Sequence, residues 1–212
     1  MNNRDNRKTH SGLSALGAAI VLVMGLALAG SSAADDAKTI ATTNCNSCHG
    51  EGGNSVIPMF PNVAGLQEEY IAKQLWNYKS GQRKSDIMSP VVEKLMPEDI
   101  PLLAAYYSGQ KMNRGSSVDK QAIERGKQIY FNGNDDSGLP PCVGCHEPEG
   151  SGHHGYPRLG GQQAQYVVQE LKNFAAGGRT NDVSRYMRVI AKRMSEAEMR
   201  SVAEYLAGLD AK

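Results

Sequence analysis

The strongest constraint on this chain is a motif that occurs twice, as Cys45-Asn46-Ser47-Cys48-His49 and as Cys142-Val143-Gly144-Cys145-His146. Two thiols three positions apart lie about one helical turn from each other, so both can reach the two vinyl groups of one porphyrin. The histidine that follows can then bind the iron. The two motifs use all four cysteines of the chain, which predicts two covalently bound haem c groups.

Zinc sites and disulfide bonds are the alternative explanations of two Cys-x-x-Cys pairs. Zinc ribbons separate their pairs by about 15–20 residues, whereas 93 residues lie between Cys48 and Cys142. A redox-active pair would not need a histidine directly after the second cysteine in both copies. The repeated histidine therefore favours haem.

The N-terminus has the pattern of an export signal. A basic start at residues 4–8 precedes an uncharged apolar run over residues 11–30, which ends in a cluster of small residues. A signal peptidase site near Ala33 or Ala34 fits this pattern, so residues 1–34 are predicted to be a signal peptide. The alternative is an uncleaved membrane anchor, because a run of about 20 apolar residues can span a bilayer. Both interpretations place the rest of the chain across the membrane, in the periplasm.

The remaining chain is a tandem duplication. Matching residues keep an offset of 96 to 99 positions, and the clearest pairs are Phe60-Pro61 with Tyr156-Pro157, Gly65 with Gly161, Tyr70 with Tyr166, Leu75 with Leu171, and Gly81-Gln82-Arg83 with Gly177-Gly178-Arg179. The join lies in a short polar stretch around residues 111–117, which has the composition of a linker. We therefore predict two domains, at residues 35–113 and 114–212.

Each half is predicted to be helical. Apolar residues at helical spacing predict, in the two halves, a helix before the haem motif (about 36–45 and 118–131), a helix after Gly65 and Gly161, and a last helix before each half ends. Pro97 suits the first position of the last helix in the first half, and Ser195 with Glu198 forms a capping box in the second. Aromatic positions, Trp76 included, are expected in the core. No alternating strand pattern of useful length appears, so the predicted fold class is all-α.

The second axial ligand of each iron decides what the haems can do, and methionine, histidine, lysine and an open position are all possible. A ligand present in both copies should occupy matching positions. Met88 matches Met187 at an offset of 99, whereas no other methionine after residue 34 has a methionine at its matching position. These two residues lie 39 and 41 positions after their histidines, in what we expect to be irregular chain. The predicted axial pairs are His49 with Met88 and His146 with Met187.

Four further residues are candidates near the haems. His153 and His154 have no counterparts in the first half, and their glycine-rich surroundings predict an exposed loop, with distal iron ligation as the alternative. Arg83 and Arg179 follow a repeated glycine. They are expected either to meet haem propionates or to cap a turn, and both interpretations remain open.

The charge of the chain argues against nucleic-acid binding, because 23 Lys plus Arg balance 22 Asp plus Glu. The distribution is uneven beside the predicted ligand Met187. Five basic residues surround it with only Asp182 in opposition, namely Arg179, Arg185, Arg188, Lys192 and Arg193. This basic rim is expected either to steer an acidic partner or to be an ordinary solvated face.

Several of these features together resemble the dihaem cytochrome c4 family: both haem motifs, the segment from Gly53 to Gly65, the run Lys73-Gln74-Leu75, and the methionines seven positions before Leu95 and Met194. The resemblance covers nearly all of residues 37–209. It implies two class I cytochrome c domains, each with one covalently attached haem, packed with the haems near one interface. It also implies a periplasmic electron carrier between a quinol-oxidising complex and a terminal oxidase. One departure is Met96, which stands where the family pattern has a capping serine.

Electron transfer without catalysis is the leading functional prediction. The porphyrin supplies four nitrogen ligands to each iron, and a histidine and a methionine fill the two axial positions, so no substrate binds there and the chain alone is not expected to be an enzyme. The alternative is the haem subunit of a sulfide-oxidising flavocytochrome dehydrogenase. No Gly-x-Gly-x-x-Gly follows a predicted strand here, so catalysis would then reside in a partner chain. A dihaem peroxidase needs an open iron, which the matched methionines argue against.

Overall fold

The structure is a computed structural model that describes residues 33–117 and 119–210. All but the last two residues of the predicted signal peptide, residues 1–34, lie outside this range. The helices of the first half are α1 (residues 33–44), α2 (Asn46–His49), α3 (Glu68–Lys79), α4 (Met88–Glu93) and α5 (Asp99–Ser108). Those of the second half are α6 (Lys120–Asn132), α7 (Val143–His146), α8 (Ala164–Ala176), α9 (Tyr186–Lys192) and α10 (Glu196–Ala207).

The all-α prediction is confirmed. Single-turn 3-10 helices follow α2 at Glu51–Gly53, follow α6 at Asp135–Ser137 and precede α9 at Val183–Arg185. Within residues 33–117 and 119–210 the only extended pairings are two isolated bridges, Asn134 with Leu139 and His153 with Tyr156. No helix in this part of the chain is long and apolar enough to cross a membrane.

Each half has its own apolar core. In the first half α3 packs against α4 and α5, and in the second α8 packs against α9 and α10 while α10 packs against α6. The first core contains Ala41, Ile71, Val92, Leu103 and Tyr107 among others. The second contains Ile129, Tyr130, Leu171, Met199 and Leu206 among others. The two cores share no residue, as a tandem duplication of one helical unit requires.

The second half is closed by a near contact of two helix backbones. A Cβ atom on Gly126 of α6 would lie 1.9 Å from the carbonyl oxygen of Ser201 in α10, so only glycine permits this approach. Tyr130 then becomes fully buried beside α10, with its ring 5.4 Å from that of Tyr205. The close packing of α6 on α10 fixes the position of the segment that leads into the second haem motif.

The last helices begin in different ways. The capping box predicted for α10 is present, because the Ser195 hydroxyl accepts from the Glu198 amide and the Glu198 carboxylate accepts from the Ser195 amide at 2.7 Å. Helix α5 begins at Asp99, two residues later than the position expected from Pro97. The Asp99 carboxylate accepts from the Met96 amide at 2.7 Å, so the turn around Pro97 precedes the helix.

Two expectations about local structure are wrong. Met88 is the first residue of α4 and Met187 the second residue of α9, so neither lies in irregular chain. Short helices form there because Val92 and Ala191, four residues further on, are fully buried in the cores and so orient one helical face inward. Trp76 is 43% exposed rather than part of the core.

Candidate haem sites

Each haem motif forms a single helical turn. The His49 amide donates to the Cys45 carbonyl at 3.0 Å, and the His146 amide donates to the Cys142 carbonyl at the same distance. Residues three and four positions apart on a helix share one face. The two cysteines and the histidine of each motif therefore point to the same side of their turn.

The histidines present one defined ring nitrogen to a metal. The Nδ1 atom of His49 lies 2.9 Å from the Pro61 carbonyl oxygen, and that of His146 lies 3.0 Å from the Pro157 carbonyl oxygen. A carbonyl only accepts, so Nδ1 carries the proton and Nε2 keeps its lone pair. Burial lowers the pKa of both histidines and so favours the neutral ring. This is the form in which an imidazole binds iron.

Hydrogen bonds hold the proline carbonyl of the first half in place. The Ser55 amide donates to the Asn62 side chain at 2.8 Å, and the Ser55 hydroxyl donates to the Cys48 carbonyl at 2.8 Å. The segment that carries Pro61 is thus tied to the motif that carries His49. In the second half the Gly152 amide donates to the His146 carbonyl at 3.0 Å, which makes the equivalent connection.

The four cysteines are free and partly buried. Cys45 packs against the first core and Cys142 against the second. Burial raises the pKa of both thiols, that of Cys142 to about 11. Both residues are therefore thiols at neutral pH, the form whose S–H bond adds across a vinyl group.

The predicted axial methionines lie with the cysteines of their own half. Met88 and Cys45 pack against the same core, and Met187 and Cys142 pack against the other. The Met88 amide donates to the Ser85 hydroxyl at 3.1 Å, which fixes the start of α4. Each half thus brings its predicted methionine ligand and the first cysteine of its haem motif to one core.

Arg83 and Arg179 lie where the two halves meet, and both side chains are buried. Both donate to the same oxygen of Glu170, at 2.7 and 2.6 Å. Arg83 also donates to the Tyr166 hydroxyl at 3.1 Å, and Arg179 to the Tyr70 hydroxyl at 2.9 Å. The two arginines therefore reach across the interface in equivalent ways, as the duplication requires.

This arginine cluster was not predicted from the sequence. The repeat contained a hint of it, because its acceptors and its donors both occupy matching positions. Gln74 matches Glu170 at an offset of 96, and Arg83 matches Arg179 at the same offset. The Gln74 carbonyl oxygen accepts from Arg83 at 2.8 Å and from Arg179 at 3.2 Å. What the sequence alone could not supply was that these positions from opposite halves meet.

The arginine cluster carries an excess of buried positive charge. Two guanidinium groups share the single carboxylate of Glu170, and the buried Gln74 side-chain nitrogen has no hydrogen-bond partner among the described residues. A polar cleft of about 180 Å³ opens beside Arg83, Arg179 and Glu170. Buried charge is stable only when it is paired. The cluster therefore fits an additional anionic group, such as the propionates of a haem.

Backbone and side chain of the two arginines have separate roles. The Arg83 amide donates to the Asn77 carbonyl at the end of α3, and the Arg179 amide donates to the Asn173 carbonyl in α8. The turn-capping interpretation thus applies to the backbone. The propionate interpretation applies to the guanidinium groups and stays a prediction.

The loop with His153 and His154 is exposed, as expected from its glycines. The His154 side chain is 92% exposed and its Nδ1 atom lies 3.3 Å from the Glu69 carboxylate of the first half. The ring of His153 lies 4.9 Å from that of Tyr156 at an angle of 57°, and the Tyr156 ring contacts that of His146 edge-on. The pair therefore belongs to the segment that carries Pro157, on the side of His146.

Many polar contacts join the two halves. Asn62 and Gln162 exchange two hydrogen bonds, of 2.7 and 2.8 Å, and the Gln163 side chain donates to the Ser55 carbonyl at 2.7 Å. Lys73 donates to the Asn181 carbonyl at 2.7 Å. The segments that orient the two histidines are therefore in direct contact.

Comparison with known proteins agrees with this geometry. The sequence matches the family described as cytochrome c over residues 34–110 and again over residues 123–210. Cytochrome c4 from Azotobacter vinelandii is 38% identical over 200 residues, which cover 88% of this chain and 93% of that protein. A protein named thiosulfate dehydrogenase electron acceptor, from Thiomonas intermedia, is 33% identical over 168 residues, or 77% of each chain.

A solved structure has the same fold. Reduced recombinant cytochrome c4 from Pseudomonas stutzeri superposes with a TM-score of 0.78 at 36% identity, over 83% of this chain and 98% of that one. This chain therefore belongs to the cytochrome c4 family of electron-transfer cytochromes and carries two covalently bound haem c groups.

Proposed function

We propose that this protein is a periplasmic carrier of single electrons, in which His49 and Met88 bind one iron and His146 and Met187 bind the other. The observation that carries the proposal is that each half places its methionine and the first cysteine of its haem motif at one core. The histidine four residues after that cysteine already has its Nδ1 engaged by a proline carbonyl. Full coordination leaves no position for a substrate. The haems therefore exchange electrons without catalysing a reaction.

The haems are attached through two thioether bonds each, to Cys45 and Cys48 in the first half and to Cys142 and Cys145 in the second. Each bond forms when a thiol adds across a vinyl group, with the sulfur on one carbon and the hydrogen on the other. The single-turn helices α2 and α7 support this assignment, because they hold both sulfur atoms on the face that also carries the histidine.

We further propose domain limits at residues 35–113 and 114–212, with residues 1–34 removed after export. The separate apolar cores support two folding units, and the composition of residues 1–34 supports an export signal. In this scheme the electrons come from a quinol-oxidising complex and pass to a terminal oxidase.

Isolation from the native host tests the proposed function. We expect the purified protein to contain two haems for each chain. Host membranes supplied with quinol should reduce it, and the oxidase of the same membranes should oxidise it again. A flavoprotein that copurifies in a one-to-one ratio would contradict the free carrier and favour the flavocytochrome subunit. Mass spectrometry of the same sample identifies the N-terminal residue and so tests the removal of residues 1–34.

A second candidate donor follows from the relative named thiosulfate dehydrogenase electron acceptor. In this case the electrons come from a dehydrogenase that oxidises a sulfur compound, and the iron ligands stay the same. Reduction of the purified holoprotein by a host extract supplied with thiosulfate would favour this donor. Reduction only in the presence of quinol would favour the first.

A further inference from the structure

The surface beside Met187 carries positive charge that no neighbouring carboxylate neutralises. The only acid in this segment, Asp182, is buried, with a side chain that is 4% exposed and that accepts from the Arg188 side chain at 2.7 Å. Arg185, Lys192 and Arg193 are exposed. Among the ion pairs of the described residues, none within 4 Å involves these three side chains. Arg193 donates instead to the Gly138 carbonyl.

Exposed apolar side chains lie among these cations. Val183, Tyr186 and Val189 are 58%, 53% and 50% exposed, and they flank Met187 along the chain. The backbone adopts an unfavourable conformation to present them, since Ser184 and Arg185 have φ angles of 50° and 62°. Non-glycine residues rarely adopt positive φ. An apolar centre with charged edges is typical of a transient protein interface.

The duplication provides an internal comparison for this surface. At the offset of 99, Asp86 occupies the position of Arg185 and Glu93 the position of Lys192, and both acids are exposed. The segment beside Met88 thus has acidic side chains at the two positions where the second half has basic ones. The reversal is confined to these two positions, because Arg193 matches the basic residue Lys94. The backbones also differ at the first of them, where Arg185 has a positive φ and Asp86 does not.

We propose that Arg185, Lys192 and Arg193, around Val183, Tyr186 and Val189, form the docking surface for a redox protein whose electron-transfer site is surrounded by Asp and Glu. The proposal rests on the proposed function as an electron carrier. The partner's acidic side chains meet the three cations while its apolar centre covers the valines and Tyr186. Opposite charges of this kind raise the association rate at low salt and fix the orientation of the encounter. The segment around Met88 is not the docking site for this partner.

Three variants of the holoprotein test the proposal. R185D/K192E gives the second half the residues of the first, and aspartate tolerates the positive φ at position 185 better than most residues do. K120E/K127E is the control, because it changes the net charge equally on the exposed face of α6, away from the ligand segment. D86R/E93K transfers the basic residues to the segment beside Met88. Haem absorption spectra verify that all three retain both haems.

The first measurement is the rate at which host membranes oxidise the reduced protein, at about 20 mM and at about 300 mM salt. We expect R185D/K192E to react at least about fivefold more slowly than wild type at low salt, with the difference disappearing at high salt. K120E/K127E should stay within about twofold of wild type. Equal rates of R185D/K192E and wild type at low salt, or equal slowing by both double variants, would overturn the docking surface.

The second measurement needs no host protein and uses hexacyanoferrate(III), a small anionic oxidant. At low salt it should oxidise R185D/K192E several-fold more slowly than wild type and D86R/E93K faster, and high salt should remove both differences. Oxidation of all variants at one rate would overturn the proposal even if the membranes contain no partner. A wild-type protein that reacts with hexacyanoferrate(III) as expected but with no host membrane fraction would contradict the proposed electron carrier instead.

Discussion

At the scale of single residues, each haem site depends on a histidine whose two ring nitrogens have different partners. The hydrogen bond from Nδ1 to Pro61 or Pro157 sets the ring orientation and leaves Nε2 free of its proton. Such a bond also makes the imidazole a stronger electron donor to a metal. In the proposed coordination, the methionine on the other side of the iron sets the redox potential of each haem.

Replacement of Met88 or Met187 by histidine should lower the potential of the haem in that half, because two imidazoles stabilise ferric iron more than one imidazole and a thioether do. We expect a decrease of more than about 100 mV, within the roughly 0.8 V range that axial ligands cover. A potentiometric titration followed by absorption spectroscopy measures both haems. Met59→His is the matched control, because this methionine is 54% exposed and its counterpart in the second half is not a methionine. Unchanged potentials in both variants would exclude these ligands.

At the scale of helices, the two halves begin the same element with different caps. Helix α10 has a full capping box, whereas α5 has only the return bond from Asp99 to the Met96 amide. The Met96 side chain cannot accept the second bond and is 57% exposed. The box follows from local sequence, which is why it was predictable from Ser195 and Glu198.

Ser195→Ala should lower the free energy of unfolding of the second half by about 1 kcal/mol, because one amide of α10 loses its acceptor. In the first half the Asp99 amide already donates to the Met96 carbonyl at 3.1 Å. Met96→Ser adds a side-chain acceptor of the kind that Ser195 provides and should raise the stability of the first half by about 0.5–1 kcal/mol. Chemical denaturation of the holoprotein, followed by the absorbance of the haems, measures both changes. Ser116→Ala, at an exposed position outside the helices, serves as control. A stability gain in Ser195→Ala or a loss in Met96→Ser would contradict the capping account.

Prediction of helices from the sequence was less accurate where tertiary contacts determine whether a helix forms. The helices before the motifs, after Gly65 and Gly161, and at the end of each half were predictable from apolar periodicity. The short helices α4 and α9 were not, because six or seven residues carry too little periodic signal and fold only by packing a buried alanine or valine into the core. Trp76 was misplaced for a related reason, since an aromatic residue at a helical position does not reveal which face is buried.

At the scale of the whole molecule, the arginine cluster joins the halves. Arg83 and Arg179 belong to matching positions, and each finds its tyrosine hydroxyl partner in the other half, at Tyr166 and Tyr70. Glu170 of the second half is the carboxylate that both share. The duplication was visible in the sequence, but the way the copies pack was not, because hydrogen bonds between residues more than 80 positions apart leave no local pattern. The functional cysteines and histidines needed no such information, since they lie within five-residue motifs.

Glu170→Gln should lower the free energy of unfolding by about 3 kcal/mol, because two buried guanidinium groups lose their shared carboxylate. Hydrogen exchange should also become faster in α3 and α8, the helices that hold the cluster. Glu196→Gln is the matched control, since this exposed residue pairs with Lys172 and Arg200, and its replacement should lower the free energy of unfolding far less than that of Glu170. A Glu170→Gln protein as stable as Glu196→Gln would show that the cluster does not hold the halves together.

The central claim is that both irons are six-coordinate with histidine and methionine and exchange one electron each. A potentiometric titration of the purified holoprotein, with absorption spectra recorded at each potential, tests it most directly. We predict two electrons for each chain, taken up in two one-electron steps, with both ferric haems low-spin and with no change in the spectrum of the reduced protein when carbon monoxide is added. A high-spin haem, or a reduced haem that binds carbon monoxide, would contradict the claim.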